Sequence, residues 1–394
     1  MNKYDMLFKS FDTPIVLLDM DKLDKNIKEM TKLAVESGVK LRPHTKVHES
    51  PFIAKLQINA GASGIEVGTV DRAKCMADAG IDDILIAHPF YGKPKLEILK
   101  NILKNPKIKI TLVVDMIEQA KQIDELGKQI NKKIPLLLKI ALNTKNARFG
   151  VPFGEPALNL AKNLTQLSNI QFKGIYAHEL GVKPTKEGVN KAAFEAASLI
   201  SKMARLLKKE GINIEHVSVG ASPTFRATCH YLKEKKFSEI TEIHPGNCVI
   251  GDIWHTKSLG NKREACAVTV LTTVISTSNL EYFVVDAGYK TFGKDSLIAY
   301  MKEPGFFWKE KPSFASIQGR SDLWLGSLSA ETACIYYMDS NINNKNRLKL
   351  GDRIEIVPNN STLVINLQTQ IYGIRNGIIE KVIFVKGRTK NNFR

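Results

Sequence analysis

Lys46 stands in Arg42-Pro43-His44-Thr45-Lys46-Val47-His48, just past a short apolar run and just before the Ser50-Pro51 start of a helix. An amine where a strand gives way to a loop is placed to attack a carbonyl and hold a carbonyl cofactor as a Schiff base. His44 and His48 flank it at a spacing that suggests zinc. Two histidines with no third ligand in register make a poor metal site, however, so no metal is expected there.

Further along, Arg148 lies in Asn143-Thr144-Lys145-Asn146-Ala147-Arg148-Phe149-Gly150, after an apolar strand. A fixed guanidinium there suits a phenolate oxygen. Tyr176 and His178 alternate in Gly174-Ile175-Tyr176-Ala177-His178-Glu179 and so face one side of a strand. Facing inward, Tyr176 packs on an aromatic cofactor ring, and His178 titrates near neutrality as a proton shuttle. Two turns, Gly220-Ala221-Ser222-Pro223-Thr224 and His244-Pro245-Gly246-Asn247-Cys248, combine glycine with small polar residues. Backbone N–H groups of Gly220, Ala221, Gly246 and Asn247, with hydroxyls from Ser222 and Thr224, suit a phosphate. An amine for an aldehyde, a cation for a phenolate and turns for a phosphate together specify pyridoxal 5'-phosphate.

Such groups need elements to position them. Short runs of Ile, Val and Leu alternate with amphipathic helical stretches, the rhythm of βα units and a parallel sheet. Strand candidates begin at Pro14 and near Lys40, Gly64, Asp83, Ile108, Pro135, Phe172, Ile214 and Glu242. That is one more than a closed (β/α)8 barrel accepts. From Asp252 onward the pattern turns all-β, with connections rich in Gly, Asn, Ser and Lys. The expected architecture is α/β: a (β/α)8 TIM barrel over residues 20–258, then a mostly antiparallel β domain over residues 259–394 that takes the surplus strand, within residues 1–19. Lys46 then follows barrel strand one, and the two glycine turns follow strands seven and eight, where barrels commonly bind phosphate. Residues 388–394 read as a basic tail.

Composition narrows the class. With 394 residues, 43% hydrophobic and 25% charged, the chain has the make-up of a two-domain globular enzyme. Its 57 Lys and Arg against 40 Asp and Glu leave a formal net charge of +17. The lysines are spread over polar helix faces without interleaved stacking aromatics, so a nucleic-acid or membrane partner is not expected. Five scattered cysteines suit a reducing cytoplasm better than a disulfide framework, and no apolar run reaches the ~20 residues of a membrane span. Trp254, Trp308, Phe306, Phe307 and Trp324 suit either a pocket wall or core packing.

Taken in order, Thr13-Pro14-Ile15-Val16-Leu17-Leu18-Asp19, the Lys46 segment, the two glycine turns, Val285-Asp286-Ala287-Gly288 and Val357-Pro358-Asn359 resemble the alanine-racemase-like (fold type III) pyridoxal phosphate enzymes, in the D-threonine aldolase and D-serine dehydratase branch. The resemblance spans nearly the whole chain. It implies a head-to-tail homodimer with active sites at the interface, and Lys46 as the Schiff-base lysine. The family's Pro-Asn-His-x-Cys or Pro-Asn-His-x-Asp, whose ligands bind a divalent metal, reads Pro358-Asn359-Asn360-Ser361-Thr362 here, and its Glu-His-Gly reads Glu331-Thr332-Ala333. Asn360 and Thr362 are neutral oxygen ligands, poor for zinc or manganese, so the metal is expected to be absent. The implied activity is a lyase of the D-threonine aldolase type on a D- or β-hydroxy amino acid, with altered or metal-independent chemistry. The alternatives are a D-serine or 3-hydroxyaspartate dehydratase, an amino-acid racemase or epimerase, and last a non-catalytic cofactor carrier.

Overall fold

The structure is a computed structural model that describes residues 11–143, 145, 147–179, 181–183, 185–258, 265–295, 307–308, 311–339 and 343–388. Phe306, Thr144, Asn146 and tail residues 389–394 lie outside the described residues. The chain packs as two units, one holding Ile27–Gly246 and the other Asn247–Arg388 with the described residues before Ile27.

Strand β1 (Ile15–Asp19) is followed in chain order by β2 (Lys40–Leu41), β3 (Ile65–Val67), β4 (Asp83–Ile86), β5 (Lys109–Val114), β6 (Ile134–Ala141), the two-residue β7 (Val151–Pro152), β8 (Ile170–Ala177), β9 (His216–Val219) and β10 (Glu242–Ile243). In the first unit these strands pair in the spatial order β2-β10-β9-β8-β6-β5-β4-β3, all parallel. A parallel bridge between His44 and Glu66 joins the two ends and closes the barrel. Helices between successive strands cover the outside, and their start signals hold. Ser50 occupies the N-cap position of Pro51–Asn59, with Pro first in the helix, and Thr69 that of Val70–Asp78, neither with a side-chain capping bond. Apolar side chains fill the barrel: Leu85, Ala87, Val113, Leu137 and Tyr176 form one buried cluster.

The strand that exceeded a barrel's capacity pairs elsewhere. In the second unit β1 runs antiparallel to β11 (Val268–Ser276), with Ile15 opposite Leu271, and parallel to a strand at Gln370–Arg375, with Leu17 opposite Tyr372. Leu17, Leu271 and Ile374 pack as its core. Apart from that parallel pair the sheet is antiparallel. Trp324 is buried in it, Trp254 packs on Ile253, Cys266 and Val357, and Trp308 lies against Tyr336. Among the described residues no helix is long and apolar enough to cross a membrane.

Candidate active site

Residues 41–50 are all buried but one, and the exception is Lys46. It sits in a 3-10 turn, Thr45–Val47, that begins where β2 leaves the barrel. His44 caps the turn: its Nδ1 accepts the Lys46 backbone N–H at 3.1 Å. His48 repeats the device, with Nδ1 accepting the Ser50 N–H at 3.1 Å and Nε2 3.2 Å from Gln57 Oε1. These rings hold backbone in place.

Lys46 opens onto a cavity of about 970 Å³ whose wall also carries His88, Lys139, Arg148, His178 and Glu179. Three of the expected residues, Lys46, Arg148 and His178, are therefore gathered on one cavity. Arg148 is exposed in the loop between β6 and β7. His178 does not titrate near neutrality as its type suggested. Desolvation, with help from the Lys139 ammonium, lowers its pKa to about 4, and the ring is neutral at physiological pH. Its Nδ1 lies 2.8 Å from the Gly220 carbonyl oxygen, which only accepts. The proton is thus on Nδ1, and Nε2 carries the lone pair.

Tyr176 is not on the cavity wall. Alternation puts it on the same side as His178 but about 7 Å deeper along the strand, where it is 2% exposed. Its hydroxyl donates to Glu66 Oε1 at 3.0 Å, its ring stacks on His244 at 4.3 Å, and the Lys139 ammonium lies 4.8 Å from the ring centroid. Packing of Tyr176 on a cofactor ring is replaced by packing on His244.

The two glycine turns come together. Gly246 donates its N–H to Ser222 Oγ at 3.0 Å, and Pro245 accepts the His44 N–H at 3.0 Å, which ties both turns to the Lys46 segment. A Cβ on Gly246 would stand 3.1 Å from the His44 carbonyl oxygen, and one on Gly220 (φ +150°) 3.1 Å from the His244 nitrogen. Glycine is needed at both by close approach. Two expected phosphate donors are engaged otherwise: the Gly246 N–H on Ser222 Oγ, and the buried Thr224 hydroxyl, which lies 2.9 Å from Glu179 Oε1. The Asn247 side chain bonds Asp252 and Ser361 within the second unit. Ala221 is buried in the first turn.

Four residues at the site were given no role from sequence: Glu66 and Lys139, which lie in no motif, and Glu179 and His244, which end and begin quoted segments. The first two carry a visible signal, a lone charge inside an apolar strand (Ile65-Glu66-Val67; Leu137-Leu138-Lys139-Ile140). Both are buried, and desolvation drives the Glu66 carboxyl up and the Lys139 ammonium down. Desolvation also lifts Glu179 to about 7.

In the second unit Asn360 caps the helix Ser361–Leu367. Its Oδ1 accepts the Leu363 N–H at 3.2 Å and its Nδ2 donates to Asp295 at 2.8 Å. Thr362 lies in the first turn of that helix. A capping amide and a hydroxyl do not fit a divalent transition metal. Among the described residues no three His, Cys, Asp or Glu converge as ligands.

Parallel barrels of this kind keep their chemistry at the strands' C-terminal ends, and the cavity with Lys46 defines this chain as a barrel of that class with a second, β-rich unit. The chain belongs to the family described as alanine racemase, N-terminal domain, which matches residues 18–253; a putative serine dehydratase domain matches residues 267–374. It is 26% identical over 388 residues to a 3-hydroxy-D-aspartate aldolase of Paracoccus denitrificans (strain Pd 1222), covering 96% of this chain and 92% of that protein. Against a D-threo-3-hydroxyaspartate dehydratase of Delftia sp. (strain HT23) identity is 27% over 374 residues, covering 89% and 91%. The crystal structure of D-threonine aldolase from Filomicrobium marinum superposes with a TM-score of 0.83 at 25% identity, covering 96% of this chain and 95% of that one.

Proposed function

We propose that the protein is a pyridoxal phosphate-dependent lyase acting on a D- or β-hydroxy amino acid. The observation that carries the reading is Lys46, the one exposed side chain in a buried ten-residue stretch, facing a cavity shared with Arg148 and His178. The residues fit the cofactor: an amine for its aldehyde, a guanidinium for an anionic oxygen, and Gly220 and Gly246 where any Cβ would crowd the neighbouring backbone. When bound, the cofactor supplies an electron sink that stabilises negative charge at the substrate Cα.

The chain's own groups do the rest. Lys46 binds the cofactor through Nζ and moves the Cα or hydroxyl proton, while Arg148 orients it. His178 offers a neutral Nε2 lone pair, and the Glu179 carboxyl retains its proton up to about pH 7. Because the donors at Asn360 and Thr362 do not fit a divalent metal, no step is assigned to one. The site is completed across a homodimer interface in this reading, in a cytoplasmic protein.

Incubation with D-threonine, D-serine and 3-hydroxyaspartate, with and without EDTA and added manganese, tests the proposal. Aldehyde with glycine, or keto acid, released at the same rate in EDTA is expected, and the absence of all three products rejects a lyase. The neutral donors at the family's metal positions favour one second reading, a racemase, which needs only proton exchange at Cα. Solvent deuterium entering Cα with inversion and no C–C or C–O cleavage would select it.

A further inference from the structure

Glu66 belongs to no motif, yet it is a fully buried ionisable residue in barrel strand β3. Its Oε1 accepts the Tyr176 hydroxyl at 3.0 Å and lies 3.5 Å from His44 Nε2. On the far side of that imidazole, Nδ1 accepts the backbone N–H of Lys46 at 3.1 Å. Backbone N–H only donates, so Nδ1 must be unprotonated for the turn to be capped. Desolvation keeps the His44 ring uncharged, and a neutral ring has one proton, which then sits on Nε2 and faces the Glu66 carboxyl.

We infer that Glu66 is a positioning residue: its carboxyl oxygen, 3.5 Å from His44 Nε2, favours the proton on that nitrogen and so the single tautomer that caps the turn and aims Lys46 into the cavity. The inference rests on the reading of Lys46 as the cofactor-binding amine, but the tautomer itself does not. The closed barrel gives a second, independent tie between the same residues, since His44 and Glu66 are the bridge pair that joins β2 to β3. Backbone pairing sets the separation of the two side chains, and the side chains in turn set the ring. His48 marks the contrast. It caps the next turn in the same way, but its Nε2 is next to the neutral Gln57, and it serves the Ser50 N–H.

The experiment has two readouts. In protein labelled with 15N-histidine and without cofactor, two-bond 1H–15N correlations report the His44 tautomer, with His44→Gln identifying the signal. The second readout is the rate at which borohydride fixes pyridoxal phosphate on Lys46, followed by peptide mass spectrometry. Wild type and Glu66→Gln, which keeps an acceptor oxygen, are expected to show His44 protonated on Nε2 and labelling rates within about threefold of each other. Glu66→Leu, which has no acceptor, is expected to show mixed tautomers and labelling at least tenfold slower in protein that still melts cooperatively.

A wild-type His44 protonated on Nδ1 would overturn the inference, and that measurement stands even if no variant folds. Folded Glu66→Leu with an unchanged tautomer, or with labelling at the wild-type rate, would overturn it equally. Wild type that never labels Lys46 would refute the cofactor reading instead, while the tautomer result would still decide the role of Glu66.

Discussion

His178 and Glu179 are chain neighbours whose environments reverse the roles their types suggest. The imidazole is held near 4 by desolvation and Lys139, while desolvation lifts the carboxyl to about 7. Near neutrality the carboxyl, and not the ring, changes charge. His178→Asn is therefore expected to leave any ionisation between pH 6 and 8 in kcat/KM where it was, whereas Glu179→Gln removes it. Full pH–rate profiles of both variants check this, and a neutral limb that disappears with His178 would contradict it. That Lys46 and Arg148 share one cavity and that the glycine turns come together was readable from the chain, because each lies in a short loop segment after an apolar strand. The lone charges Glu66 and Lys139 were visible as oddities, but their meaning depended on which strands the barrel makes adjacent. Residue type alone misled for His178, because its pKa is set by enclosure, and for Tyr176, because strand alternation gives a side and not a depth.

At the level of elements, the eight barrel strands were legible from apolar runs separated by amphipathic helices, and the ninth from its excess over what a barrel accommodates. β1 met neighbours that lie some 250 and 350 residues away, Leu271 and Tyr372, a pairing that only counting could anticipate. Gly174 illustrates a local demand that propensity does not reveal. It lies in β8 at φ +153°, where the register between β6 and β8 shifts, and a Cβ there would stand 1.8 Å from the His216 carbonyl oxygen. Gly174→Ala is thus expected to force β8 from β9 and cost about 3 kcal/mol or more, combining overpacking with a backbone conformation that L residues avoid. Urea denaturation measures the loss, and a change below about 0.5 kcal/mol would show that the strands yield easily.

Across the whole molecule the net charge of +17 is the excess of Lys and Arg over Asp and Glu, and exposed pairs such as Lys74–Asp78 and Lys162–Glu210, which cancel charge locally, add little stability because water screens them. Buried ion pairs weigh more: Arg42 with Glu242 in the first unit, and His255 with Asp252 in the second. Burial alone would strip His255 of its proton, but Asp252 Oδ1 at 3.0 Å from Nδ1 outweighs it and raises the pKa from 6.5 to about 9. A raised histidine stabilises fully below the unfolded value, near pH 6.5, and its contribution fades as pH rises through 9. Thermal melts of the full chain should therefore lose stability between pH 7 and 10. His255→Leu leaves Asp252 buried without its counter-charge, though still hydrogen-bonded by Asn247 and Ser361, should cost about 3 kcal/mol at pH 7, and should flatten that alkaline slope. A slope unaltered in the variant would assign the loss to other groups.

The central claim is that the amine at position 46 takes up the cofactor. Purified protein incubated with pyridoxal phosphate, reduced with borohydride and digested should yield one modified peptide, with the added mass on Lys46, and Lys46→Ala should yield none. Protein that stays unmodified, or that carries the label on Lys139 or a surface lysine in place of Lys46, would contradict the account.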